Sequence, residues 1–118
     1  MSGISKELVA ASSKMVVLSI LRKGESYGYD ILQQVKLLSD GQWNWSDGLI
    51  YPVLHKLEND KYISSRWEQL SGKRKRKYYT ITEKGLRFLD KSMKEWKFVD
   101  KTLQKAWENQ LCKAQKIG

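Results

Sequence analysis

The chain has 118 residues, 41% of them apolar and 30% charged, the size and balance of one small globular domain with room for one further long element. Its longest apolar run, Met15-Val16-Val17-Leu18, is far too short to cross a bilayer and no charged-then-apolar leader opens the sequence, so neither membrane insertion nor secretion is expected. The lone cysteine, Cys112, makes no internal disulfide and suits a reducing, cytoplasmic setting. Twenty-two Lys and Arg against 13 Asp and Glu leave a net charge of +9, an excess that points to a polyanionic partner.

The spacing predicts a first helix over residues 5–23. Ile4, Leu8, Ala11, Met15 and Leu18 recur at threes and fours, and Val16, Val17, Ile20 and Leu21 widen the apolar face enough for burial on two sides. Arg22 and Lys23 suit a helix C-terminus, and Gly24 is a natural stop. Ser26 reads as the N-cap of a second helix over about 27–39, with Ile31, Leu32, Val35 and Leu38 inward and Gly41 closing it. Trp43-Asn44-Trp45 alternates as a minor strand would. Ser46 and Asp47 open a third helix to Asn59, with Leu49, Ile50, Val53, Leu54 and Leu57 facing the core. Pro52 falls inside that stretch, where a proline loses a backbone hydrogen bond and crowds the preceding turn, so the helix either begins near Pro52 or kinks there.

Residues 62–68 and 78–81 are β-favouring runs. Ser71-Gly72 and the unbroken run Lys73-Arg74-Lys75-Arg76-Lys77 lie between them, at the tip of a hairpin and the start of its return strand. Thr82 can then cap a last helix from Glu83 to about Leu111, about 40 Å long at 1.5 Å per residue.

Helix, helix, helix, hairpin, long helix describes a mainly α fold with a small β-hairpin wing. It divides into a winged helix-turn-helix domain over residues 1–82 and a C-terminal dimerisation helix with its tail over 83–118. A charge run by itself is as often a solvated loop as a binding element. At the tip of a wing, the same run is placed to meet double-stranded DNA. The third helix would enter the major groove with Gly48, Tyr51, Pro52, His55 and Lys56 off its apolar face. Tyr51 and His55, four apart, offer hydrogen bonds to bases or phosphates, and Lys56 suits a phosphate. Lys14 and Tyr27 are weaker candidates for flanking phosphates. The competing readings are a core ring for Tyr51 and an ordinary surface side chain for His55, which has no ligand-spaced neighbours and makes no metal site.

The last helix carries a heptad. Leu86, Leu89, Met93, Trp96, Asp100, Leu103, Trp107 and Gln110 recur at alternating threes and fours, a seam for another helix. So small a domain cannot cover that length alone, so a homodimer is expected, with packing against the first helix as the alternative. Asp100 interrupts the seam. It either pairs with a lysine such as the partner's Lys97 or Lys101, or serves a pocket where two copies of Trp96 stack a flat ligand and the carboxylate draws a cation.

Three stretches carry a family likeness: Tyr27-Gly28-Tyr29-Asp30-Ile31, Gly48-Leu49-Ile50-Tyr51-Pro52-Val53-Leu54-His55-Lys56-Leu57-Glu58 and Lys75-Arg76-Lys77-Tyr78-Tyr79-Thr80-Ile81-Thr82-Glu83-Lys84-Gly85. Together they resemble the PadR family of bacterial regulators over essentially the whole chain, and the final helix is similar to that of the family's shorter branch, which includes a multidrug-responsive repressor. The resemblance implies a dimeric repressor on a partly palindromic operator, released by a small planar aromatic effector, with Leu8, Met15, Met93, Trp96 and Asp100 lining the effector pocket. It also implies that the third helix accommodates Pro52. Where the family usually places a glycine after the third helix stands Asn59-Asp60-Lys61, so a left-handed cap is expected on Asn59 or Asp60.

A nonspecific or architectural nucleic-acid binder using the same hairpin remains the alternative, and an adaptor pairing its long helix with another protein is a third reading. No Gly-rich phosphate cradle, Gly-x-Ser-x-Gly elbow or metal-ligand cluster is present in the sequence, so neither an enzyme nor a cofactor is expected.

Overall fold

The computed structural model describes the backbone of residues 4–117 and the side chains of residues 4–108. Its elements are α1 (Lys6–Arg22), β1 (Ser26–Tyr27), α2 (Gly28–Leu38), α3 (Asp47–Asn59), β2 (Ile63–Gln69), β3 (Lys75–Ile81) and α4 (Glu83–Ile117). Ser5 caps α1, its hydroxyl accepting from the Leu8 amide at 3.1 Å. Val17, Leu18 and Leu21 of α1, Ile31 and Val35 of α2, and Ile50, Leu54 and Leu57 of α3 meet in one core. Ile63 and Tyr79 close it from the sheet and Leu89 from α4. Ile4 and Leu8, expected on the apolar face of α1, are 39% and 44% exposed.

The sheet has three strands, not two, in the order β1-β3-β2 and antiparallel throughout. Ser26 is therefore a strand residue opposite Tyr79, not the cap of α2. Its hydroxyl donates to the Asp30 carboxylate at 2.6 Å, and α2 starts at Gly28 with Tyr27 in the cap position, making no side-chain capping bond. Two residues are too few for periodicity to reveal β1. Trp43-Asn44-Trp45 is not a strand either, since the two indoles stack on each other at 5.5 Å instead of pairing with a neighbouring backbone. Leu38, expected inward, is 65% exposed at the end of α2.

Pro52 lies within α3, which begins at Asp47. The carbonyl that loses its donor, four residues back, belongs to Gly48, which is exposed and open to water. Ser46 caps the helix through its backbone carbonyl, which accepts from the amides of Leu49 and Ile50, while its side chain makes no capping bond. At the other end the left-handed residue is Lys61, with φ 68°, not Asn59 or Asp60. The Tyr62 amide reaches the Leu57 carbonyl at 2.9 Å and the Lys61 amide reaches that of Glu58 at 3.0 Å, the paired bonds of a Schellman ending.

Thr82 joins this turn to α4. Its hydroxyl donates to the Lys61 carbonyl at 2.7 Å and accepts from the Gly85 amide at 3.0 Å. Gly85 is required here, because a Cβ would drive into the Tyr62 carbonyl. α4 runs to Ile117, past the expected end near Leu111. Its first part packs on α1, burying Leu89 and half-burying Phe88 and Met93; from Lys94 to Glu108 every side chain is exposed.

Candidate nucleic-acid interface

The N-terminus of α2, the outer face of α3 and the wing enclose a cleft of about 600 Å³. It is lined by Tyr27, Gly28, Tyr29, Tyr51, His55, Trp67, Leu70, Arg74, Lys75, Arg76, Lys77 and Tyr79. Seven of the twelve expected DNA-facing residues line it, Tyr27, Tyr51, His55 and the four cations Arg74 to Lys77, while Lys73 is exposed at the hairpin turn next to them. Gly48, Pro52 and Lys56 lie exposed along the same helix. Lys56 stands 3.6 Å from Asp60, an exposed pair one turn apart that competes little with a phosphate. Lys14 is not brought to this cleft; it lines a hollow between α1 and α4 with Phe88, Glu95 and Trp96.

Tyr51 is neither free nor a core ring. Its phenol rests against Gly28, where an added Cβ would lie 2.9 Å from the hydroxyl, and 42% of the residue stays exposed. The absence of a side chain at position 28 thus sets how deeply Tyr51 can sit. Beneath it Tyr79 is buried, and burial pushes its phenol up from the ordinary range, so it stays neutral.

The cations of the wing fall into two groups. Lys73, Arg74 and Lys75 are exposed at the tip. Arg76 lies over the Tyr27 ring at 4.0 Å and donates to the Tyr78 hydroxyl at 3.4 Å. Lys77 stands 3.4 Å from Glu58 of α3, and Glu58 also accepts a short hydrogen bond from Ser65 of β2. That hydroxyl bond, aided by Lys77, holds the Glu58 carboxyl below its ordinary range. Arg66 braces the other side of the sheet, reaching both oxygens of Glu25 at 2.7 and 2.8 Å and Glu68 at 3.0 Å. It holds the Glu25 carboxyl down as well.

Gly28, Tyr29, Trp67, Leu70 and Tyr79 of the cleft were not read from the sequence as candidates; of these, Tyr29 (64% exposed) and Trp67 (63% exposed) present large aromatic faces to solvent. Trp67 pairs across the hairpin with Lys77, whose ammonium lies 5.8 Å from its ring. Strand alternation from the basic run would have pointed to it once the hairpin register was known.

A second hollow, about 560 Å³, runs along α1 between α2 and α4. Leu8, Met15 and Trp96 of the expected effector set line it, together with Trp43. Met93 is instead half-buried against the core, with the Arg22 guanidinium 3.9 Å from its sulfur. Asp100 is exposed farther along α4 and accepts from Gln104 one turn on at 3.1 Å. Of the heptad seam, Leu89 is 1% exposed and belongs to the chain's own core, so the first turns of α4 are committed to α1 and the sheet. Leu86, Trp96, Leu103 and Trp107 are 41%, 37%, 45% and 58% exposed. Gln110 and Cys112 lie outside the residues whose side chains are described. Among the described residues no helix is long and apolar enough to cross a membrane, and no three His, Cys, Asp or Glu side chains are grouped to hold a metal.

Three helices beside a hairpin whose tip and return strand are cationic make a winged helix-turn-helix regulator of the DNA-binding class. Residues 17–91 match the Transcriptional regulator PadR-like family, and the chain belongs to it. Members are transcriptional regulators, not enzymes; they bind DNA and are typically dimers. The chain is 38% identical over 72 residues to the negative transcriptional regulator PadR of Bacillus subtilis (61% of this chain, 40% of that one). It is 29% identical over 91 residues to the transcriptional regulator YqjI of Escherichia coli (77% and 42%). The match therefore spans about two fifths of either regulator's length. Among solved structures it is similar to a transcriptional regulator from Clostridium thermocellum, with TM-score 0.79, 27% identity and coverage of 86% and 96% of the two chains. A PadR-family regulator from Eggerthella lenta gives 0.74, 31%, 86% and 87%.

Proposed function

We propose that this regulator is a homodimeric, sequence-specific repressor that holds a partly palindromic operator and releases it when a small planar aromatic molecule binds at the dimer interface. The observation that carries the DNA half is the cleft in which Tyr51 and His55 of α3 face the cations of the wing. Side chains of α3 reach base edges, which supplies discrimination, while Lys73, Arg74 and Lys75 neutralise phosphates, which supplies affinity. Lys56 and Tyr27 fix register on the backbone, Gly48 and Pro52 let α3 approach closely, and Lys14 stands apart from this group. The exposed seam of Leu86, Trp96, Leu103 and Trp107 supports pairing of two copies through α4. The reading of a repressor follows the Bacillus subtilis relative, a negative transcriptional regulator.

The test is fluorescence anisotropy on a duplex from upstream of the regulator's own gene and on a scrambled duplex at physiological salt. About a thousandfold or greater discrimination is expected of a specific regulator. Equal affinity for both duplexes, and for fragments selected from the whole genome, would establish the architectural alternative.

A further inference from the structure

The hollow along α1 holds a residue that neither the heptad nor the family likeness brings into it. Trp43, from the loop after α2, lines it together with α4's Trp96 and with Leu8, Met15, Val16, Val35 and Leu38. Among the described residues no charged side chain lines the hollow, and its polar side chains are those of Ser12, Ser19 and Ser39. Two of those hydroxyls are spent on nearby carbonyls, Ser12 on Leu8 at 2.7 Å and Ser39 on Lys36 at 3.2 Å, and Ser39 also accepts from the Trp43 amide at 2.9 Å. A charged ligand would therefore lose its hydration with no opposite charge to offset it, a cation finding only the faces of Trp43 and Trp96, whereas an uncharged ligand bears no such cost. The volume lies in the range of small-molecule sites.

Trp43 is also one half of a stack. Its ring lies on Trp45 at 5.5 Å and 25°, and the Trp45 indole nitrogen is buried with no hydrogen-bond partner among the described residues. Trp45 directly precedes Ser46, which caps α3 through its carbonyl but makes no side-chain capping bond. An unsatisfied buried donor and an unmade side-chain capping bond both stand on the path between the hollow and the DNA-facing helix. Such groups cost free energy in the present arrangement, which makes a second arrangement of the loop accessible.

We propose that the hollow takes an uncharged, flat aromatic molecule against Trp43, and that the Trp43–Trp45 stack carries its presence to the start of α3. This rests on the effector reading above and narrows it: the ligand is neutral, and Asp100 is not its anchor. Ligand pressing on Trp43 shifts Trp45 and with it Ser46, so the first turn of α3 moves while Glu58 keeps its last turn on the wing.

The full chain is titrated with N-phenyl-1-naphthylamine, an uncharged aromatic fluorophore, and with ethidium, a flat cation. The uncharged probe is expected to bind. Trp43→Leu should weaken it at least tenfold and Trp43→Phe only two- to threefold, since the aromatic face remains. Trp45→Phe should leave probe affinity within about twofold but cut the probe-dependent change in duplex affinity at least threefold. Equal probe affinity in wild type and Trp43→Leu overturns the site, and a full probe response on DNA in Trp45→Phe overturns the coupling. Ethidium binding without binding of the uncharged probe leaves the effector reading standing and removes this one; binding of neither removes both. If Trp43→Leu shifts the monomer–dimer equilibrium in sedimentation while probe affinity holds, the hollow receives the second copy's α4 and the proposal falls.

Discussion

Lys61 occupies the left-handed position that ends α3, at φ 68°, where a side chain costs about 1–2 kcal/mol relative to the ordinary helical region. Glycine there removes that cost but adds freedom to the unfolded chain worth about 0.5–1 kcal/mol. Lys61→Gly is therefore expected to stabilise the fold by about 0.5–1 kcal/mol, read as a raised urea midpoint at unchanged slope. Gly28 poses the opposite case. Alanine at that position presses on the Tyr51 hydroxyl, so Gly28→Ala should lower discrimination between operator and scrambled duplex more than it lowers affinity for the scrambled one. Equal loss on both duplexes would mean that Tyr51 reads no base. Both residues lie in stretches that carry the family likeness or its departure, yet what each does was not legible there. The sequence points to a left-handed cap after Leu57-Glu58, but only the backbone places it on Lys61. Likewise Gly28 stands in a recognisable motif, and its reason, the ring of Tyr51 from another helix, is a contact between elements that no periodicity encodes.

At the scale of elements, Glu58 ties the last turn of α3 to the wing, accepting from Ser65 of β2 and pairing with Lys77 of β3. The Glu58 carboxyl titrates below its ordinary value near 4.5 in the folded chain, so the folded state takes up its proton less readily than the unfolded one. That contribution is complete above the ordinary value and is lost as pH falls through the folded-state value. Glu58→Gln should therefore show a smaller drop in melting temperature between pH 6 and pH 3 than wild type, and an equal drop would remove Glu58 from the acid response. The same ties change the expected DNA electrostatics. Four phosphates neutralised by each wing would give a dimer a log–log salt slope near −7, but Lys77 already has Glu58 and Arg76 lies on Tyr27. Three free cations per wing reduce the contribution of the wings to a slope of about −5, and a slope beyond about −7 would show that the Glu58–Lys77 pair opens on DNA. The helices, the hairpin and its charged tip were readable because each shows a period or a run. The two-residue β1 shows neither, and Trp43-Asn44-Trp45 imitates strand alternation while its rings stack on each other.

For the whole molecule the decisive feature is the uneven burial of α4. Its first turns complete the domain through Leu89, Phe88 and Met93, whereas beyond Trp96 the apolar side chains Val99, Leu103 and Trp107 are 47%, 45% and 58% exposed. The heptad announced one seam, and the structure divides it into an intramolecular part and an uncovered part, a division that depends on how α1 crosses α4 and so could not be read from spacing. Each large apolar side chain buried on pairing contributes about 1.5–3 kcal/mol, so Leu103 and Trp107 counted on both chains can support a stable dimer. A palindromic operator is read by two α3 helices at once, and the linkage between them makes the second contact effectively intramolecular. Leu103→Glu combined with Trp107→Glu removes the apolar seam and adds like charges across it. This variant should sediment as a monomer with unchanged helical circular dichroism in the domain, and should lose at least about a hundredfold in operator affinity while its affinity for a single half-site stays within about threefold. A variant that remains dimeric would place the interface on α1 and the first turns of α4 instead. One that is monomeric yet holds the full operator as tightly as wild type would show that each chain recognises DNA alone, and the exposed half of α4 would then need a partner other than its own copy.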